Sequence, residues 1–286
     1  MSVEIYLEED NKWNLSELGT AETKQILKEK NIVIHPLAVI GNDVRISADV
    51  SIGKHVRIHE GVRIHEGVRI GDHVRIGKYA RIGEDVTIDE RVHIGESVEI
   101  GEGVTIYKWV LVYKGVNIGK GAQIGKRVTI LPKTKISEGV TFDKWAVICK
   151  GVQIGKLANI GKDTIIGDSV RIGESVCLNK SVLIGAGTGL SQKVYIGKGV
   201  QIGKNVTILP ETNIGEDVTI DQWVVICKGV QIGKLANIGK DTIIGDSVRI
   251  GANACISADV SIGEHVRIGE GVTINRGLNI VQGVVV

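Results

Sequence analysis

A large apolar residue recurs every six positions from Ile34 to Val286. Of the 43 positions in this series, 38 are Ile, and the others are Val112, Phe142, Leu178, Leu190 and Val286. Two residues before each later one stands a smaller residue, Val at 29 of 42 positions and otherwise Ala, Thr or, once, Leu278. Small-x-large is a period of two, which predicts a short strand of three residues with its ends buried and its middle residue facing out. All three prolines, Pro36, Pro132 and Pro210, stand two positions after a large residue, where the ring fixes φ near −65°. One position further on, Gly, Asn, Asp and His recur, the residues that best tolerate positive φ. Together the two positions describe a type II turn, so each hexad predicts a strand and a corner.

Residues 1–33 lack the repeat. Val3 to Leu7 reads as a strand, followed by a helix of about ten residues with Thr20 as N-cap and Ile26 and Leu27 turned inward. This predicts a small N-terminal α/β cap over residues 1–33 and a repeat domain over 34–286. The other end, Gly283-Val284-Val285-Val286, stops in register. A bare solenoid end is an unpaired strand edge. The expectation is end-to-end joining through Val284, Val285 and Val286, or truncation from a longer chain.

Hexads such as Ile100-Gly101-Glu102-Gly103-Val104-Thr105 resemble the bacterial transferase hexapeptide-repeat superfamily. The resemblance implies an all-β fold: a single-stranded, left-handed parallel β-helix, a triangular solenoid of about 14 coils with 18 residues to the coil. Many members are acyltransferases using acyl-CoA or acyl carrier protein; others are γ-class carbonic anhydrases or structural rods. The entry Ile34-His35-Pro36 looks like the start of the sugar-nucleotide acyltransferases, where it is structural. Catalytic histidines in the enzymes usually stand in a His-Asp or His-Asn context, often beside a loop thrown out of the coil. Here no loop interrupts the hexads and no such pair occurs.

Composition adds detail to this picture. There are 38 glycines, 23 of them one position after the large residue and 13 three positions after it, so glycine serves the corners. Aromatic residues make up 3%, which excludes a core of aromatic anchors. Lys+Arg 35 against Asp+Glu 33 gives no global signal for a polyanion. The acidic start and the lack of a long apolar run read as cytoplasmic, without membrane insertion. Cys149, Cys177, Cys227 and Cys255 are too far apart for a metal knuckle or a disulfide framework. His55, His73 and His265 fall at corners, His59 and His65 replace corner glycines, and His93 faces out from a strand. His55 and His73, 18 apart, are weak metal candidates without a third ligand. No cofactor is called for.

Residues 18 apart share a column if three hexads make a coil. One corner column is then basic: Lys108, Lys126, Lys144, Lys162, Lys180 and Lys198. Beside it run His55, His73, Arg91, Trp109, Arg127 and Trp145, in which Arg and Trp can stack. The next outward column holds Leu111, Val147, Ile165 and Leu183, while Glu66, Glu84 and Glu102 make another corner acidic. Gly151–Gly173 recurs unchanged as Gly229–Gly251, offset by 78 residues. That is 13 hexads, so the copy carries Trp223, Val225 and Ile243 to a different side. Coinciding basic, aromatic and apolar columns read as an interaction edge. They point first to a non-enzymatic rod or scaffold, a homo-oligomer, filament subunit or engineered solenoid, binding itself or a protein partner there. The alternatives are an acyltransferase-like trimer using acyl-CoA, and an anionic polymer bound along the lysines.

Overall fold

The computed structural model describes residues 4–7, 11–14 and 21–286. The chain divides into two compact units, Met1–Gly139 and Val140–Val286. The fold is all-β, a left-handed parallel β-helix built from 42 short strands after the N-terminal elements. At three strands to a turn this is about 14 turns.

In the first unit, β1 (Glu4–Leu7) and β2 (Asn11–Asn14) form an antiparallel pair, and β1 adds in parallel to Val44–Ile46 through Ile5↔Val44. α1 spans Ala21–Glu29, with Ile26 and Leu27 half-buried as the amphipathic spacing predicts. Thr20 and Val3 lie outside the described residues. Three parallel sheets follow, each taking every third strand. One of them stacks Val39–Ile40, Arg57–Ile58, Arg75–Ile76, His93–Ile94, Leu111–Val112 and Thr129–Ile130 in register. The second unit repeats the plan, with one sheet running from Val147–Ile148 through Ile165–Ile166, Leu183–Ile184, Gln201–Ile202, Thr219–Ile220 and Asn237–Ile238 to Cys255–Ile256.

The strands of the hexads are two residues long rather than three, apart from Val44–Ile46. The hydrogen bonds give the reason. Arg75 N–H donates to the Val92 carbonyl at 3.0 Å and Gly77 N–H to the Ile94 carbonyl at 2.8 Å, so the ladder bonds start at the outward residue and the small inner residue belongs to the end of the corner. Every third position after the large residue has positive φ from Asp43 to Gly283. Corner amides also bond between coils, as in His73 N–H to the Lys54 carbonyl at 2.8 Å.

Inside, Ile and Val stack at almost zero exposure, and Phe142 fits the Ile column at 2%. Thr134, Thr164, Thr188, Thr212 and Thr242 take the small inner position and are equally buried. Each hydroxyl donates to a carbonyl, for example Thr188 to Gly203 at 2.9 Å, which removes the cost of burying it.

Candidate active groove on one face of the first unit

The side chain between the two buried residues of a strand has no packing duty, so the outward column records chemistry. In the first unit one such column reads Arg57, Arg75, His93 and Leu111 on consecutive strands. Next to it the positions after the large residue are His59, Gly77, Gly95 and Tyr113. Gly77 and Gly95 put no side chain into the trough beside this column. A side chain at Gly95 would run into the backbone of the next coil, with Lys114 N only 2.7 Å from the Cβ position.

Two hollows occupy this trough and share His93. The first, about 450 Å³, is lined on its polar side by Asn42, Arg57, His59, Glu60, Arg75 and Lys78. The second, about 390 Å³, is lined by His93, Gly95, Leu111, Val112, Tyr113, Lys114 and Pro132 and is mostly apolar. Glu60 is held by Lys78 at 2.9 Å, which keeps its carboxyl below the usual range and raises the lysine. Partial burial, then Arg75 and His59, holds the His93 imidazole below its usual pKa. The neutral ring is therefore the main form at neutral pH, able to accept a proton.

A family model of bacterial transferase hexapeptide repeats matches residues 37–71, 67–101 and 79–114, which include this groove apart from Pro132. This is a hexapeptide-repeat solenoid. A second model, the GMPPB C-terminal domain, matches residues 187–280, and no curated protein matches the sequence. Among solved structures the solenoid is similar to a UDP-N-acetylglucosamine acyltransferase from Bacteroides fragilis, at 22% identity over 49% of this chain and 68% of that one, TM-score 0.35. Another UDP-N-acetylglucosamine acyltransferase matches at 18% identity over 65% and 69%, TM-score 0.42. The acetyltransferase domain of PglB from Neisseria gonorrhoeae, in complex with acetyl coenzyme A, matches at 23% over 41% and 53%, TM-score 0.21. With all three TM-scores under one half, the assignment rests on the repeat itself.

The residues expected to form an edge fall into both units of the solenoid. In the first, Arg91 lies over the Trp109 ring at 4.6 Å, Leu111 lines the apolar hollow, and Arg127 N–H bonds the Lys108 carbonyl at 3.1 Å. In the second, Val147, Ile165 and Leu183 sit on consecutive strands of one sheet, with Trp145 exposed at the preceding corner. Val225 and Ile243 pair in another sheet of that unit, after the exposed Trp223, so the duplicated segment does present its apolar residues on two faces.

The lysines are less uniform than a like-charged column. Lys108 is bonded to Glu90 and Lys162 lies 3.5 Å from Asp163, while Lys126, Lys144, Lys180 and Lys198 complete the set. At the acidic corner Glu102 binds Lys120 at 2.7 Å. His55 and His73 stack with centroids 5.0 Å apart, and among the described residues no group of three or more His, Cys, Asp or Glu could hold a metal ion. The four cysteines are half-buried, and desolvation raises the thiols of Cys149, Cys177 and Cys227. Val285 bridges to Arg267, with Val284 and Val286 accepting or donating along the same coil edge. No helix among the described residues is long and apolar enough to cross a membrane.

His93 is the residue that sequence reasoning placed facing out from a strand and gave no role. Its signal was present: the column that contains Leu111 contains His93 and Arg75 one and two coils earlier.

Proposed function

We propose that the chain is an acyltransferase-like hexapeptide-repeat protein acting as a homo-oligomer, with His93 as the proton acceptor. The carrying observation is an imidazole placed between a cationic and an apolar stretch of one groove and held below its usual pKa by partial burial. In the reaction, His93 takes the proton of an acceptor hydroxyl or amine, and that oxygen or nitrogen attacks the carbonyl of an acyl thioester. The carbon–sulfur bond then breaks, and the leaving thiolate takes the proton back from His93. The match to transferase repeats across the groove supports this class. The test is thiol release from acyl-CoA in the presence of UDP-N-acetylglucosamine or an amino sugar. His93→Gln should lower turnover at least a hundredfold; release unchanged in that variant would overturn the reading.

A second reading is supported by the duplicated Trp/Val/Ile groups of the second unit, which suit a non-enzymatic rod that associates with itself. Sedimentation over a wide concentration range tests it: Trp145→Ser with Trp223→Ser should shift the solenoid toward monomer. Anionic-polymer binding has less support, since Lys108 and Lys162 already hold carboxylates.

A further inference from the structure

We infer that the groove of the first unit binds a single-chain amphiphile with a phosphate-type anionic head, held by Arg57 and Arg75 while its chain lies on Leu111, Tyr113 and Pro132. The inference concerns the same groove as the proposed function, but it is a statement about binding and stands or falls without any transfer.

The head site follows from charge. Arg57 and Arg75 are opposite each other on adjacent parallel strands, about 4.8 Å apart. Both face outward, and neither has an ion pair among the described residues. The nearby carboxylate that could have served them, Glu60, is taken by Lys78 and also accepts from the Tyr79 hydroxyl at 3.4 Å. Two like charges stacked on neighbouring strands gain from an anion that lies between them. Stacked guanidinium forks suit a phosphate, whose several oxygens can accept from both.

The tail site follows from the other end. Leu111 lies two strands beyond Arg75, roughly 10 Å along the sheet. Leu111 and Tyr113 are exposed apolar surface, and Pro132, with no N–H, closes the hollow behind them. Gly77 and Gly95 add no side chain beside the path between the two ends, on which His93 stands. A polyanion would need the cationic pattern to continue along the sheet, and it stops at His93. A purely apolar ligand would leave the arginines unused. A ligand charged at one end and apolar at the other uses both.

Calorimetry with octyl phosphate, octanol and inorganic phosphate, each below any micelle concentration, tests this on the whole chain. Octyl phosphate should saturate one site per chain at least tenfold more tightly than either half-ligand. The double variant Arg57→Gln, Arg75→Gln and the single variant Leu111→Asn should each weaken it tenfold or more, while Leu183→Asn in the second unit leaves it unchanged. Octanol binding as tightly as octyl phosphate, or full binding by the double arginine variant, would overturn the inference. His93→Gln separates it from the proposed function: octyl phosphate should bind this variant within about twofold of the parent, so lost thiol release with retained binding bears only on the chemistry, and lost binding sinks the amphiphile site.

Discussion

In the first unit the outward positions of one sheet read Arg57, Arg75, His93 and Leu111, and in the second unit a sheet of the same construction reads Gln201, Thr219, Asn237 and Cys255. Beneath both lie isoleucines, with Val112 the one exception. Ile58, Ile76, Ile94 and Val112 are as buried as Ile202, Ile220, Ile238 and Ile256. The first face carries charge at one end and an apolar hollow at the other. The second carries amides, a hydroxyl and a thiol over a hollow of about 470 Å³. Packing dictates the inner residues and leaves the outer ones unconstrained, so the difference between the faces is where chemistry is recorded.

The equality of the interiors is the part of the comparison easiest to break. Ile94→Ala and Ile202→Ala should each cost about 2–5 kcal/mol by chemical denaturation, and similar values are expected because the two sites are packed alike. A gap of several kcal/mol between them would show that the two interiors are not equivalent. Next in size, Gly95→Ala and Gly203→Ala should each cost about 1–3 kcal/mol, since a Cβ would meet the backbone of the following coil at 2.7 Å and 2.6 Å.

The exteriors should respond differently. Trp223→Gly removes a bulky side chain held at φ 63° and should stabilise the second unit by about 1 kcal/mol. Trp109→Gly relieves the same kind of strain at φ 66° but loses the contact with Arg91, so its gain should be smaller by about 0.5–1 kcal/mol. The smallest effect is in pH dependence. Because the folded protein holds His93 below its usual pKa, protonation favours the unfolded chain. Stability should be complete above the ordinary histidine range and decline as pH falls through it. His93→Gln should flatten that slope in melts between neutral and mildly acidic pH, and His55, lowered by partial desolvation and by Lys54, contributes in the same direction.

Most of the fold was legible because each hexad repeats the same physical instruction. Ile and Val in alternation define the strand, and Pro36, Pro132 and Pro210 followed by a residue of positive φ define the corner. Even Trp109, Trp145 and Leu157, poor residues for that backbone, follow their neighbours into it. β2 was not legible, because Asn11-Lys12-Trp13-Asn14 has no alternation and is a strand through its pairing with β1. The groove was hard to see for a related reason. It gains one informative side chain per coil, so His93 has meaning only beside Arg75 and Leu111, residues 18 positions away in either direction.

The positive-φ corner has a consequence for how such a chain can change. Among the described residues 28 corners from Asp43 onward are occupied by something other than glycine, from aspartate, which tolerates this backbone, to tryptophan, at a penalty of up to about 1–2 kcal/mol apiece. That penalty is smallest for Asn and Asp, yet the backbone holds the same conformation even at Trp109, Trp145 and Leu157. Each corner therefore behaves as an interchangeable socket, and a lineage carrying this solenoid could redecorate its surface one position at a time without renegotiating its interior.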